Sequence, residues 1–548
     1  MSFSSKKYIN FGYKQKHSCM IILRIFLSLF LLVFYGLVFG QQILKTKQSG
    51  LLAQERDVLF SLNEQSYQNL TLYVDLTNIR YSNRSTFVSI TTEIQQQTAE
   101  IGRFYLPEYP SDATSHYEDI SNTANYTFDI CLWQKVLSET GSLKFYTDGS
   151  FDDFEMDVYF LEEKGQPSVL VNEIIPLWYS GKNGFLYEKE GIDPELIPPK
   201  SIELKNPSQK AIVQILAHGV AKSNKPDSRF YFFNINGKEV AKRSVWRDDC
   251  SYNPVYPQSG KWYQNRPNWC PGATVVPINH IIERKELQNE KLEIDLRFQK
   301  DIFQNSGIHS YIFSGVLFLI DKPKKAVNAA ITKIISPNSN KKHQRYNPIC
   351  SYPIIIIKNL GYEPLETLML NYGYNYQVDN KYRWTGELEF LEEEIVYLPP
   401  LNWYFYEKDD EPQSFTAIIS RANGKEDAFA RGKMTTEMDL AVVYPYRLSF
   451  LLRTDSNAID NVLEILDDNG TPYFMSEDLK ADSTYVFHVN FIPGCYEMIL
   501  FDQIGDGILE RNNKKYVLEI LDQRKGTLLK AYDGNFGSEI REQFMIFR

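Results

Sequence analysis

Almost every apolar run in this chain is short, rich in β-branched and aromatic residues, and closed off by Gly, Asn, Asp or Pro. Phe87–Ile90, Ile212–Leu216, Phe230–Ile235, Val316–Ile320, Ile354–Ile357 and Tyr485–Phe491 are examples. Runs of that length suit buried strands, and no long segment carries the 3.6-residue period of an amphipathic helix. Asn236-Gly237, set between Phe230–Ile235 and Glu239-Val240, marks a hairpin, because a type I′ turn needs positive φ at both central residues. At 548 residues the chain is too long for one hydrophobic core. With 36 Tyr and 34 Phe it has the bulk to fill several. The pattern predicts an all-β protein assembled from β-sandwiches.

The N-terminus carries a different signal. Lys6, Lys7, Lys14, Lys16 and Arg24 precede an apolar run from Ile25 to Gly40, followed by Gln41-Gln42. This reads as a secretory signal peptide over 1–40, since the run is shorter than the ~20 residues that a spanning helix needs. An uncleaved anchor is the competing reading, and Met20 is an alternative start. No later segment is apolar enough to span a membrane, so the mature chain is expected outside the cell or on its surface. The net charge of −10, without a long basic run, argues against nucleic acid as a partner.

Secretion implies an oxidising compartment. Cys19 leaves with the signal, and Cys131, Cys250, Cys270, Cys350 and Cys495 remain. Cys250 and Cys270 are the natural pair, and closing their loop of about 20 residues restricts the unfolded chain by ~3 kcal/mol. An odd number leaves at least one Cys outside any intramolecular pair, and the pairing of Cys131, Cys350 and Cys495 stays open. Zinc-finger Cys spacing, HxH and HExxH are all absent, which argues against a metal centre built from His or Cys. Lys322–Arg345, rich in Lys, Asn and Ser, reads as a linker or domain entry, with a weaker break near Asn423–Glu437.

Trp246–Gly272 (WRDDCSYNPVYPQSGKWYQNRPNWCPG) carries the most specific motif. Its paired Cys, Asn253-Pro254, the Pro-Gln before Gly-x-Trp, and Arg266 before Trp269-Cys270-Pro271-Gly272 resemble the second jelly roll of the peptide:N-glycanase F family. Ile101–Phe104 (IGRF) and Leu143–Thr147 (LKFYT) look like segments of the family's first jelly roll. The resemblance covers roughly Leu51 to Ile320. It implies two tandem eight-stranded jelly rolls, over 41–165 and 166–322, with an active site in the cleft between them. Pro353–Leu398 resembles an Ig-like accessory sandwich of secreted Bacteroidetes-type proteins, placed within 323–440. GCYEMILFDQIGDGILE resembles a C-terminal β-domain of the same proteins, placed at 441–548.

The family reaction is hydrolysis of the amide joining an Asn side chain to the first N-acetylglucosamine of a glycan, so Asn-linked glycans or glycoproteins are the implied partners. That chemistry needs a carboxylate to activate water and acids to manage charge on the departing glycosylamine. Aligning Tyr81–Ile90 on the family's segment puts Asn83 at the Asp position and retains Arg84. The second acid becomes Asp148. The third falls in Ser223–Phe230, where Asp227 is the nearest carboxylate and an ungapped alignment gives Lys225. An Asn amide takes no proton near neutral pH, so Asn83 is a substituted base position; Asp75, Asp148 or Asp152 are the substitutes at hand. Arg266, His218 and Trp269 are the implied substrate-binding residues, and Arg84, Asn83, Asp148 and Arg266 are expected to converge.

Each site has a plainer reading. Trp246, Trp262 and Trp269 suit sugar stacking or a core bracing the disulfide loop. Asp148 suits a turn. Asp502 and Asp506 offer oxygens for a structural calcium, or bond their own backbone in a Gly-stabilised turn. No other cofactor is expected. Two functional classes follow: a glycan-releasing amidase with altered acids, or a catalytically inactive module that binds glycoproteins or displays on a surface. A third, copper-dependent peptide monooxygenase, shares the fold but needs several His and a Met as ligands, and His218 and His309 stand singly.

Overall fold

The computed structural model describes residues 41–547 apart from 49–54, 61, 63–66, 81–85, 109–122, 148–152, 165–168, 205–209, 222–228, 288–290, 301–306, 322, 324, 376, 402–412, 427–431 and 509–515. Among the described residues the protein is all-β, with one short α-helix, Gln134–Thr140, ended by Gly141 in the left-handed conformation. No described helix is long and apolar enough to cross a membrane.

The strands from Gln41 to Lys164 form two four-stranded antiparallel sheets. One runs Gln41–Gln48, Asp153–Lys164, Tyr67–Arg80, Ala124–Asp129. The other runs Glu55–Leu59, Ser142–Thr147, Phe87–Ile94, Gln97–Tyr105. Counted along the chain, the orders are 1-8-3-6 and 2-7-4-5, which is the strand order of a jelly roll. Alternation sets the inner face: in Ser142–Thr147, Leu143, Phe145 and Thr147 point inward. Leu72, Val74, Phe145 and Phe160 fill the space between the sheets with no exposed surface.

The strands from Val171 to Ile320 repeat that order. Lys200–Glu203, Lys291–Phe298, Phe230–Ile235 and Lys238–Ser244 make one sheet. Ile308–Ile320, Lys210–Ala221 and Ile278–Ile282 make the other, whose first position is split between Val171–Tyr179 and Phe185–Glu188. The hairpin turn is as the sequence predicts: Asn236 and Gly237 have φ of 49° and 76°.

Two further sandwiches follow. The third sets Ala329–Ser336, Ile354–Asn359 and Glu393–Tyr397 against Gln377–Leu388, Leu365–Tyr374, Gln413–Ala422 and Lys433–Met438, the three-on-four division of an Ig-like sandwich. In the fourth, the first strand, Val442–Tyr444, lies parallel to the last, Glu539–Ile546. Two composition breaks fall inside the third sandwich and not between domains. The Lys-rich stretch contains Ala329–Ser336, whose Ala329, Ala330, Ile331 and Ile334 are buried while its one lysine, Lys333, is half-buried. The second break contains the left-handed Asn423-Gly424 turn and the edge strand Lys433–Met438.

Cys250 and Cys270 are disulfide-bonded with Cα atoms 5.4 Å apart. Cys350 and Cys495, whose pairing the sequence left open, bond across the third and fourth sandwiches with Cα atoms 5.7 Å apart. Cys131 stands outside both bonds, its Sγ accepting the Leu70 N–H at 3.3 Å. Arg345, also inside the supposed linker, is 3% exposed and ties three parts of the chain together. Its guanidinium donates to the carbonyls of Ser251 and Asn253 in the disulfide loop and of Phe536 and Glu539 in the fourth sandwich.

Candidate functional site

The two jelly rolls meet along the edge of the strand Gln97–Tyr105. The residues just after the Cys250–Cys270 loop extend that edge: Tyr105 N–H donates to Ala273 O at 2.9 Å, and Val275 N–H donates to Arg103 O at 2.8 Å. The burial of Phe87, Tyr105, Leu216, Trp269, Val275 and Ile312 in one cluster makes the seam continuous. Below it, Ile174, Ile212, Val316, Phe318 and Ile320 of the second roll enter the core of the first.

A fully buried polar network crosses this seam. Glu100 accepts from Arg103 Nε at 2.8 Å and from the hydroxyl of Ser89. Arg103 also donates through Nη1 to Ile312 O at 3.0 Å and to His218 Nδ1 at 2.7 Å. Burial opposes the Arg103 charge, yet Glu100 holds its pKa above the ordinary value. Burial, and then the Arg103 charge, push His218 well below the usual imidazole range. The ring is therefore neutral, and because Nδ1 accepts, its proton sits on Nε2. Nε2 has no hydrogen-bond partner in this enclosed position. The hydroxyl of Tyr179 donates to that of Tyr146 at 2.7 Å across the same seam, and burial raises both tyrosines.

His218, Trp269 and Arg266 are brought together here. Trp269 stacks on Tyr105 with ring centroids 4.0 Å apart, and Tyr105 presents an edge to His218 at 5.2 Å. The Arg266 guanidinium lies 4.6 Å from the Trp269 ring centroid. Carbonyls of Trp262 and Lys261 hold it, each at 3.0 Å. Burial lowers the Arg266 pKa, and Glu108 works against that shift. Trp262 is wholly buried and donates to Asn535 Oδ1 at 2.7 Å in the fourth sandwich, so it is a docking residue; Trp246 is half-buried.

Asn83, Arg84, Asp148, Asp152, Lys225 and Asp227 lie outside the described residues. The strands that follow Arg84 and precede Asp148 end together beside the seam: Phe87 pairs with Tyr105, Val88 with Thr147, and Leu106 N–H donates to Thr86 O. Asp75 lies on the other sheet of the first roll, where it accepts the Asn125 amide at 2.6 Å. Sequence reasoning missed Glu108, whose carboxylate, from the first roll, stands 3.5 Å from Arg266 of the second. Glu108 lies three residues beyond the strand that the seam extends, with no motif of its own to mark it.

In the fourth sandwich, Asp502 Oδ1 accepts the N–H groups of Ile504 and Gly505, forming the predicted turn. Burial, then the neighbouring charges of Asp506 and Asp460, push the Asp502 carboxyl up to about 7, against the Gly505 N–H that favours its ionised form. Among the described residues, no three or more His, Cys, Asp or Glu are grouped as a ready metal cage.

Paired jelly rolls with an Arg, a Trp and a buried neutral His at their seam define the class of this half of the chain. Residues 201–318 match the family model for the C-terminal domain of peptide-N-glycosidase F, so this segment is similar to that family. No curated protein matches the chain in a sequence search. Among solved structures, a peptide-N4-(N-acetyl-β-D-glucosaminyl) asparagine amidase aligns over 51% of this chain and 96% of its own, at 19% identity and TM-score 0.43. PNGase F, a glycosylasparaginase from Flavobacterium meningosepticum, aligns over 51% and 96% at 18% identity and TM-score 0.42. PNGF-II aligns over 50% and 64% at 12% identity and TM-score 0.40.

Proposed function

We propose that the seam between the jelly rolls recognises Asn-linked glycans of glycoproteins, in a protein exported from the cell, and that it hydrolyses the glycosyl-asparagine amide slowly or not at all. The observation that carries this reading is the Arg266–Trp269–Tyr105 stack beside His218, within and against a segment similar to the peptide-N-glycosidase F family. The Trp269 and Tyr105 rings are themselves buried, so what the stack offers a glycan is its polar rim, the part-exposed Arg266 guanidinium that they hold in place. Asn83 at the base position withholds a contribution of about 10²–10⁴ in rate. Asp148 and Asp227 remain the acids nearest the other two positions, and Arg84 the second cation. We propose domain boundaries at 41–165, 166–322, 323–440 and 441–548.

One observation favours the amidase class instead. Glu108 is a carboxylate at the seam itself, 3.5 Å from Arg266. Incubation with a denatured N-glycoprotein, scored for glycan mass loss and Asn-to-Asp conversion, separates the two. Little or no release together with retention on immobilised glycoprotein supports recognition; fast release by the wild-type chain refutes it. Asn83→Asp should raise any residual rate, and a tenfold gain corresponds to about 1.4 kcal/mol off the barrier.

A further inference from the structure

The fourth sandwich holds a group of oxygens that nothing in the glycan reading uses. Asn461 and Asp502 are directly opposed across neighbouring strands, Asn461–Asp467 and Gly494–Asp502. Asp460 adjoins them, its carbonyl accepting the Gln503 N–H at 3.0 Å. Asn461 Nδ2 donates to Asp460 Oδ1 at 3.3 Å. This arrangement leaves three buried oxygens with no hydrogen-bond partner: Asp460 Oδ2, Asn461 Oδ1 and Asp502 Oδ2. Asn461 is 4% exposed and Asp502 2%. Buried polar atoms are nearly always satisfied, and three acceptors missing a donor in one place need an explanation.

The neighbours are acceptors too. Asp506 acts electrostatically on Asp502, and Asp455 on both Asp460 and Asp506. Among the described residues, the charges that act most on Asp460, Asp502 and Asp506 are those of other carboxylates. We infer that Asp460, Asn461 and Asp502, with Asp506 and Asp455 beside them, bind a hard divalent cation of the calcium class. The set contains only oxygen, which disfavours zinc and copper. It mixes carboxylates with an amide and is not a closed cage, so it suits an ion that accepts six to eight oxygens in flexible geometry and completes its shell with water.

The place of the site gives the cation a structural task. Asp506 and Asp502 act on the hydroxyl of Tyr263 in the disulfide loop, the neighbour of Trp262. Gly505, with φ of +85°, brings the same turn so close that a Cβ there would lie 2.8 Å from the Ser251 Cβ. A bound ion therefore braces the turn on which the loop carrying Arg266 and Trp269 rests. This inference stands whether or not the seam binds glycans.

The test uses the full mature chain, stripped with chelator, and calcium chloride alone as the probe. Calorimetric titration should give one site, calcium should raise the unfolding temperature, and terbium should show luminescence sensitised through Tyr263. The double substitution Asp460→Asn, Asp502→Asn should weaken binding by about tenfold or more. Without calcium this variant should be at least as stable as wild type, because it removes carboxylate repulsion. Should it fail to fold, Asp506→Asn alone must lower the affinity. No heat and no shift in the wild type at millimolar calcium would overturn the inference, leaving the carboxylates to share a proton. Equal calcium response in wild type and variant would overturn it as well.

Discussion

Replacing Arg345 with Met should loosen the fourth sandwich from the disulfide loop without emptying the space between them. The guanidinium is 3% exposed and reaches Asn253 O at 2.9 Å, Ser251 O at 3.2 Å, Phe536 O at 2.9 Å and Glu539 O at 2.6 Å, while lying 4.0 Å from the Tyr256 ring centroid. Ser251 O keeps the Ser538 N–H at 3.0 Å. The other three carbonyls lose this donor, at about 1–3 kcal/mol for each that stays dry. Loss of the cation–π contact adds about 1 kcal/mol. Against this, Met relieves the burial of a charge, which lowers the Arg345 pKa in the native chain. The balance is a destabilisation of about 3–5 kcal/mol, toward the large end of single substitutions. Urea unfolding followed by tryptophan fluorescence should show it, since Trp262 sits at this junction and bonds Asn535. The variant should unfold at lower urea, with an early phase for the fourth sandwich separating from the rest. An unchanged midpoint and unchanged cooperativity would refute the reasoning.

Glu100→Gln should cost about 3–5 kcal/mol by leaving the Arg103 charge buried without its carboxylate, read as a fall in melting temperature; a neutral result would mean that water reaches the seam. His280, hydrogen-bonded to the Tyr231 hydroxyl at 2.6 Å, is lowered to about 4 by burial and then by Arg243. The unfolded chain then binds the extra proton first, so stability is full above about 6.5 and falls, by up to about 3 kcal/mol, as the pH drops toward 4. His280→Phe should flatten that part of the stability profile measured by denaturant titration. Arg266→Lys should weaken retention on immobilised glycoprotein by about tenfold, because an ammonium cannot keep both carbonyl bonds and lie flat over Trp269. Cys350→Ser should remove up to about 5 kcal/mol of chain-restriction stabilisation for a 145-residue loop, measured by denaturation under oxidising conditions.

The all-β class was legible because strand-length runs with period-two burial, such as Leu143, Phe145 and Thr147, leave a direct trace in sequence. The Asn236-Gly237 turn and the Cys250–Cys270 bond were legible for the same local reason. Ala329–Ser336 was not, because Lys333, two small alanines and the Lys-rich flanks mask a buried strand in a composition-based reading. Cys350–Cys495 was not either, since its 145-residue separation is set by the packing of two sandwiches and not by any spacing rule. At the seam, Arg266 and Trp269 could be found from one motif. Arg103 and Glu108 could not, because their roles depend on partners more than a hundred residues away, His218 and Arg266, and Glu100 follows only once Arg103 is placed.

The bond between Cys350 and Cys495 also decides how the molecule carries tension. A pull on its two ends passes through the sulfurs, so the intervening strands, from Ile354–Asn359 to Thr484–Asn490, bear no load. At roughly 3.6 Å per extended residue, about 500 Å of chain stays out of reach of the force until the bond is reduced. Most of the Ig-like sandwich, with the first strands of the fourth, is thus a slack length held in reserve, released by a reductant and not by stretching.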